Sequence, residues 1–171
     1  DENGFEMSGG GFLDWPSKAN RPAMIAGTQA LMMMTMDAGA ELCRSLGEKE
    51  LAKKCSDCHK RMTAAAQAVS ERYSKDAKAP GEPGSKQAAA LMILADMVDA
   101  RKVSDEILKV EGARGFSTFY GYYMLQAMAE AGDYETAMDI IRRFWGAILD
   151  LGATTFWEDF NITPDFRLEY N

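Results

Sequence analysis

Apolar residues recur every three to four positions over most of the chain, and no stretch shows the strict alternation typical of a half-buried strand. This spacing predicts helices that each bury one face. It places six helices along the chain, with a seventh beginning at about Thr155. The six predicted ranges are Pro22–Leu46, Glu48–Tyr73, Lys86–Val98, Lys102–Val110, Ser117–Ala131 and Tyr134–Leu151.

Glycine and proline mark where the predicted helices end. Gly47, Gly132 and Gly152 each follow the last periodic residue of a helix, where a left-handed conformation is needed. The stretch from Lys75 to Ser85 is rich in proline and glycine and is predicted to be a loop. The connections after the first and fifth helices are very short, which indicates antiparallel hairpins.

The longer connections carry much of the aromatic content. They precede the first, third, fifth and seventh predicted helices, and three of these four contain aromatic residues. Because every second connection of an up-and-down helical array lies at the same end, these segments are expected to gather on one face. Residues 14–15, 116–120 and 156–158 are therefore predicted to lie close together.

Composition narrows the class of protein. A chain of 171 residues with 47% apolar residues is sufficient for one domain with a buried core. A net charge of −7 with no basic cluster argues against a nucleic-acid partner. No apolar run approaches the ~20 residues of a membrane span. The acidic start, Asp1–Gly4, does not resemble the basic beginning of a signal peptide.

Candidate chemistry is concentrated near the C-terminus. Residues 152–161 (GATTFWEDFN) combine a turn, two threonines, three aromatic rings and two carboxylates. Aromatic rings pack on the C–H faces of sugars, and a carboxylate transfers protons, so this combination is typical of a sugar-binding pocket. The alternative is an ordinary helix start, in which Glu158 is favoured by the helix dipole.

Several blocks resemble one family in the same order along the chain. They are residues 11–16 (GFLDWP), 116–127 (FSTFYGYYMLQA), 131–134 (AGDY), 141–146 (IRRFWG) and 152–161. Together they resemble the bacterial alpha-L-rhamnosidases, whose catalytic domain is an (α/α)6 barrel of six helical hairpins. The resemblance implies an all-α fold of antiparallel helical hairpins that form part of such a barrel.

The resemblance also implies a reaction and a set of site residues. Terminal alpha-L-rhamnosides would be hydrolysed with inversion, without a cofactor or a metal, and Glu158 would act as the general base. In an inverting glycosidase, this base activates a water while a separate carboxylic acid protonates the leaving oxygen. The implied substrate-binding residues are Asp14, Trp15, Phe119, Tyr120 and Trp157. For Asp14, the alternative is a local turn before Pro16.

The chain is expected to be a segment of a larger enzyme; the alternative is a half-length relative that closes by other means. Twelve helices of about eleven residues each are needed for a closed six-hairpin barrel, and residues 1–171 hold about half of them, with no internal domain boundary. The family's acidic block, which supplies the general acid, has no counterpart here. The family's histidine after the glutamate is also missing, since His59 is the one histidine. The expected partners are therefore a carbohydrate substrate and the remainder of the parent enzyme.

Two alternatives from other classes remain open. The first is a c-type haem protein, because Cys55, Cys58 and His59 form a C-x-x-C-H signature. Both cysteines nevertheless fall on the apolar stripe of a helix, where cysteine packs as a small hydrophobic residue. The second is a non-catalytic helical-repeat module, suggested by residues 132–137 (GDYETA). No period of about 34 residues recurs to support it.

Overall fold

The structure is a computed structural model that describes residues 1–5, 12–76, 82, 84–162 and 168–169. Six α-helices make up most of it: α1 (Arg21–Ser45), α2 (Lys49–Asp76), α3 (Ser85–Leu94), α4 (Ala100–Val103), α5 (Gly121–Glu130) and α6 (Tyr134–Asp150). A 3₁₀ turn (Pro16–Ala19) precedes α1, and a π-helical turn (Ser104–Leu108) continues α4. Two short strands, β1 (Asn161–Ile162) and β2 (Leu168–Glu169), pair antiparallel.

The central helix is α3, whose residues from Ser85 to Ile93 are all buried. It packs between α1 and α5, while α2 packs on α1 and α6 packs on α5. Helices α1, α3 and α5 therefore lie side by side, each followed in the chain by a helix that packs next to it. This arrangement of antiparallel hairpins confirms the predicted all-α fold.

A glycine allows α1 and α3 to approach closely. A Cβ atom on Gly27 would lie 3.4 Å from the Cα of Ala88 and 2.4 Å from the Cδ2 of Leu13. Leu13 is itself buried, so the segment before α1 is fixed against the α1–α3 contact. The residues that follow Leu13 are thereby positioned at one end of the helices.

Three of the predicted helices have nearly the observed bounds, namely α1, α2 and α6. Helix α3 ends at Leu94, four residues before its predicted end, because Asp96 adopts a left-handed conformation with φ of +56°. Helix α4 begins earlier than predicted because the Asp99 carboxylate caps it, accepting a hydrogen bond from the Lys102 N–H at 2.6 Å. Helix α5 begins at Gly121 rather than at Ser117.

The predicted seventh helix at Thr155 is wrong. Helix α6 ends at Asp150, Gly152 has a φ of +87°, and the chain then runs as a loop into β1. The aromatic side chains of this loop explain the difference: Phe160 is buried in the core, whereas Phe156 is 84% exposed. A helical conformation would not place them in these two environments while β1 pairs with β2.

Two parts of the predicted organisation lie partly outside the described residues. These are the loop from Lys75 to Ser85, of which residues 77–81 and 83 are not described, and Gly11 of the first motif. Within the residues that are described, none of the helices has the length and apolar character needed to cross a membrane.

Candidate active site

A pocket of about 370 Å³ lies where the longer connections converge. Its walls come from the segment before α1, the start of α3, the loop before α5 and the loop after α6. This volume falls within the ~300–1,000 Å³ typical of small-molecule sites. The lining residues are Asp14, Trp15, Glu82, Ser85, Lys86, Glu111, Arg114, Gly115, Phe116, Ser117, Glu158, Asp159, Phe160 and Asn161.

Asp14 connects three of these segments through its carboxylate. Its Oδ2 atom accepts a hydrogen bond from the Ser117 hydroxyl at 2.7 Å and one from the Gln87 amide at 3.1 Å. Its Oδ1 atom accepts from the backbone N–H of Trp15 at 2.9 Å. All of these partners are donors, so the Asp14 carboxylate acts as an acceptor that aligns the segments around the pocket.

Glu158 lies on the loop after α6 and is exposed at the pocket, next to Asp159. Among the described residues, the Glu158 side chain has no hydrogen-bond or ion-pair partner. An unpaired carboxylate at the rim of a pocket is available to bind a water or a ligand hydroxyl. Glu158 and Asp14, 144 positions apart in the chain, thus contribute to the same pocket.

Lys86 is the charged residue most deeply placed in this pocket, with 2% of its surface exposed. Its ammonium donates a hydrogen bond to the carbonyl of Gly112 at 2.6 Å and lies 5.1 Å from the centroid of the Phe116 ring. Burial lowers the pKa of Lys86 from 10.5 to about 8, and the Glu111 carboxylate opposes this change. Lys86 therefore holds the loop before α5 against α3.

Phe119, Tyr120 and Trp157 do not line this pocket. Tyr120 is buried in the core, where burial, and then the Asp14 carboxylate, raise its pKa to about 12. Phe119 is 70% exposed and packs edge-on against the ring of Tyr120. Trp157 is half-buried and contacts the core through Phe160, with the two ring centroids 6.2 Å apart.

Phe156 is directed to a different place. It lines an apolar groove with Trp145, Ile148 and Leu149 of α6 rather than the pocket that contains Glu158. Of the three aromatic residues around Glu158 in the sequence, only Phe160 lines the same pocket. Closeness in sequence therefore did not predict closeness in space, because the loop directs its side chains to different sides.

Sequence reasoning missed several charged residues of the pocket, above all Lys86, Arg114 and Glu111. The available signal was their position: Lys86 begins a predicted helix, and the other two lie in the connection before α5, which was already expected at this face. Glu111 and Gly112 both have positive φ, so this connection turns sharply towards Lys86.

The cysteine motif lies away from the pocket, on α2. The Sγ of Cys55 packs against α1, 3.4 Å from where a Cβ on Gly39 would be. All three cysteines, Cys43, Cys55 and Cys58, are free and partly buried. Across the described part of the chain, no three His, Cys, Asp or Glu side chains are grouped as metal ligands.

Comparison with known proteins gives one match. A family model described as the bacterial alpha-L-rhamnosidase six-hairpin glycosidase domain matches residues 2–168, nearly the whole chain. No curated protein and no solved structure matches the chain.

Proposed function

The chain belongs to the bacterial alpha-L-rhamnosidase six-hairpin glycosidase domain family, and from this premise we propose that it forms the base-bearing side of an inverting rhamnosidase site. The observation that carries the proposal is the shared pocket of Asp14 and Glu158. In this role, Glu158 accepts a proton from a water, which then attacks the anomeric carbon of a terminal alpha-L-rhamnoside. The second carboxyl group of such a pair protonates the leaving oxygen.

The surroundings of Glu158 support the role of a base. Its carboxylate is without a protein partner among the described residues, so both oxygens are available to water. Asp14 is a poorer candidate for the acid, because both of its oxygens already accept hydrogen bonds from protein donors. We propose that Asp14 and Trp15 bind the sugar, and that the general acid comes from the remainder of the barrel.

The pocket also offers donors for sugar hydroxyls. Lys86 and Arg114 line the pocket together with Glu82 and Glu111. Hydroxyl groups both donate and accept hydrogen bonds, so a mixed lining of this kind suits a neutral polyol. Three further residues remain predictions as substrate-binding residues, namely Phe119, Tyr120 and Trp157. Because they do not line this pocket, they would have to contact the substrate outside it.

The direct test replaces Glu158 in the protein that carries this chain within its complete barrel. Since general acid–base catalysis contributes about 10²–10⁴-fold, Glu158→Gln is expected to lower kcat on a chromogenic alpha-L-rhamnoside by that factor. Asp159→Asn is the matched control, because it neutralises the neighbouring carboxylate of the same pocket and is expected to retain most of the activity. Equal losses in the two variants, or undiminished hydrolysis by Glu158→Gln, would remove Glu158 from the role of base.

Stereochemistry provides a second readout. Inversion predicts that the first sugar released from an alpha-rhamnoside is the beta anomer, which NMR detects before mutarotation. Initial release of the alpha anomer would contradict the single-displacement mechanism.

A further inference from the structure

A second, smaller core lies beside the main one and has an unusual composition. It consists of three buried residues, two of them methionines, and four partly buried neighbours, and all of its side chains without sulfur are alanines. The main core, in contrast, is built from leucine, isoleucine, phenylalanine and alanine as well as methionine. The sulfur-bearing members are Met33, Met36, Cys58, Met62 and Met97; the others are Ala66 and Ala95.

Three elements bring these sulfur atoms together. Met33 and Met36 are three residues apart on α1, Cys58 and Met62 are four apart on α2, and Met97 follows α3. Residues at these separations lie on the same face of a helix. The facing sides of α1 and α2 are therefore rich in sulfur at one level of the hairpin.

Two of the sulfur atoms already have the separation of ligands to one ion. The Sγ of Cys58 lies 3.9 Å from the Sδ of Met62. Two sulfur ligands at about 2.3 Å from a metal, at tetrahedral to trigonal angles, lie roughly 3.8–4.0 Å apart. This pair therefore needs no change in its S–S separation to ligate one ion.

We propose that this sulfur cluster is a binding site for a soft monovalent cation of the Cu(I) or Ag(I) class, with Cys58 and Met62 as the central ligands. Thiolate and thioether ligands select such ions, whereas carboxylates and imidazoles suit harder ones. Binding transfers the Cys58 thiol proton to solvent. The resulting thiolate and a single positive charge neutralise each other, which suits an apolar site better than a divalent ion would.

The cluster also has a route of entry. Met33 and Met62 are each 2% exposed, but Cys58, Met36 and Met97 are only partly buried. An ion approaching from solvent is therefore expected to reach these three residues first. Because methionine has three rotatable bonds, the buried thioethers can turn towards the ion without backbone movement.

The test uses Cu(I), titrated anaerobically in competition with a chromogenic Cu(I) chelator. The background chain carries Cys43→Ser and Cys55→Ser, so that Cys58 is its single thiol. One Cu(I) per chain is expected, and adding Cys58→Ser is expected to abolish its retention. Met62→Leu is expected to weaken binding at least about tenfold, since even losing an outer partner of a metal ligand costs that much.

Met138→Leu is the matched control, because Met138 is exposed on α6 and lies outside the cluster. It is expected to leave Cu(I) affinity unchanged. Thermal melting of each variant checks the fold, and Met36→Leu, at a less buried position, replaces Met62→Leu if that variant unfolds. Failure to retain Cu(I), or equal affinity in the parent and the methionine variants of the cluster, would overturn the proposal.

Discussion

At the level of one residue, the buried charge of Lys86 lowers the stability of the folded protein at neutral pH. Its ammonium is buried with a single backbone hydrogen bond to Gly112, and burial brings its pKa down from 10.5 to about 8. The folded state therefore binds the proton less readily than the unfolded chain does. Between these two pH values the unfolded chain holds more protons, so the free energy of unfolding rises as the pH increases.

The Lys86→Met variant tests this linkage. The variant is expected to lose the rise in stability between about pH 8 and 10.5, which amounts to on the order of 3 kcal/mol for a shift of this size. Chemical denaturation at several pH values measures it. Lys102→Met, at an exposed position on α4, is the control and is expected to keep the wild-type profile. Parallel profiles for Lys86→Met and the wild type would contradict the buried-charge interpretation.

Individual residues were also where prediction from sequence was weakest. Glu158 was predicted as a site residue from its neighbours in sequence, yet neither Phe156 nor Trp157, in the same motif, lines the pocket that contains it. The sequence offered no sign that Lys86 would be buried, because a lysine at the start of a helix is usually solvated. Its burial depends on the loop that folds over it from 26 residues away.

At the level of elements, an ion cluster joins the turn between α5 and α6 to α4 and the π-helical turn. Asp133 is buried and accepts hydrogen bonds from Ser104 at 2.6 Å, Arg101 at 2.9 Å and Lys109 at 3.2 Å. Burial raises the pKa of Asp133, but these donors and charges outweigh it, so the pKa lies below its usual value. The stabilisation is therefore present above pH 3.8 and is lost as the pH falls through the lowered pKa.

Asp133→Ala is expected to lower the free energy of unfolding by about 2 kcal/mol, because it leaves the buried Ser104 hydroxyl without its acceptor. Asp139→Ala is the control: it removes the 2.7 Å ion pair with Arg143, in which both side chains are at least 50% exposed. That loss is expected to be under about 1 kcal/mol. Urea denaturation at pH 7 measures both, and equal effects would contradict a structural role for the cluster.

Helix ends were predicted well where the apolar periodicity stops at a glycine. They were predicted less well where tertiary contacts or local hydrogen bonds determine the end of the helix. Gly47 and Gly152 fixed the ends of α1 and α6 because both adopt the positive φ that glycine favours. Asp96 ended α3 early through the same conformation, which few residues other than glycine adopt. The π-helical turn depends on the Lys109 N–H bonding to the Ser104 carbonyl, a five-residue step that no periodicity indicates.

At the level of the whole molecule, the contact of α1 with α3 positions the segment that carries Asp14. Gly27→Ala would bring a methyl group to 2.4 Å from the Cδ2 of Leu13, so this buried side chain must shift. The variant is expected to be destabilised by about 1–3 kcal/mol. It is also expected to raise KM for a chromogenic rhamnoside in the complete enzyme, since Asp14 follows Leu13 directly.

Gly146→Ala, within α6, is the control for this packing effect. Nothing lies within 4 Å of a Cβ at this position, and alanine favours a helix by about 1 kcal/mol over glycine. It is therefore expected to raise the melting temperature without affecting KM. A Gly27→Ala variant as stable as the wild type would show that Leu13 adapts freely.

Two of the three hydrogen bonds of the Asp14 carboxylate bear on the order in which the protein folds. Ser117 lies 103 residues after Asp14, and Gln87 lies 73 residues after it. During synthesis Asp14 leaves the ribosome before either partner, and closing a loop of this length costs more conformational entropy than closing the short turns between neighbouring helices. We therefore expect this pocket to form late in folding, after the hairpins whose ends line it.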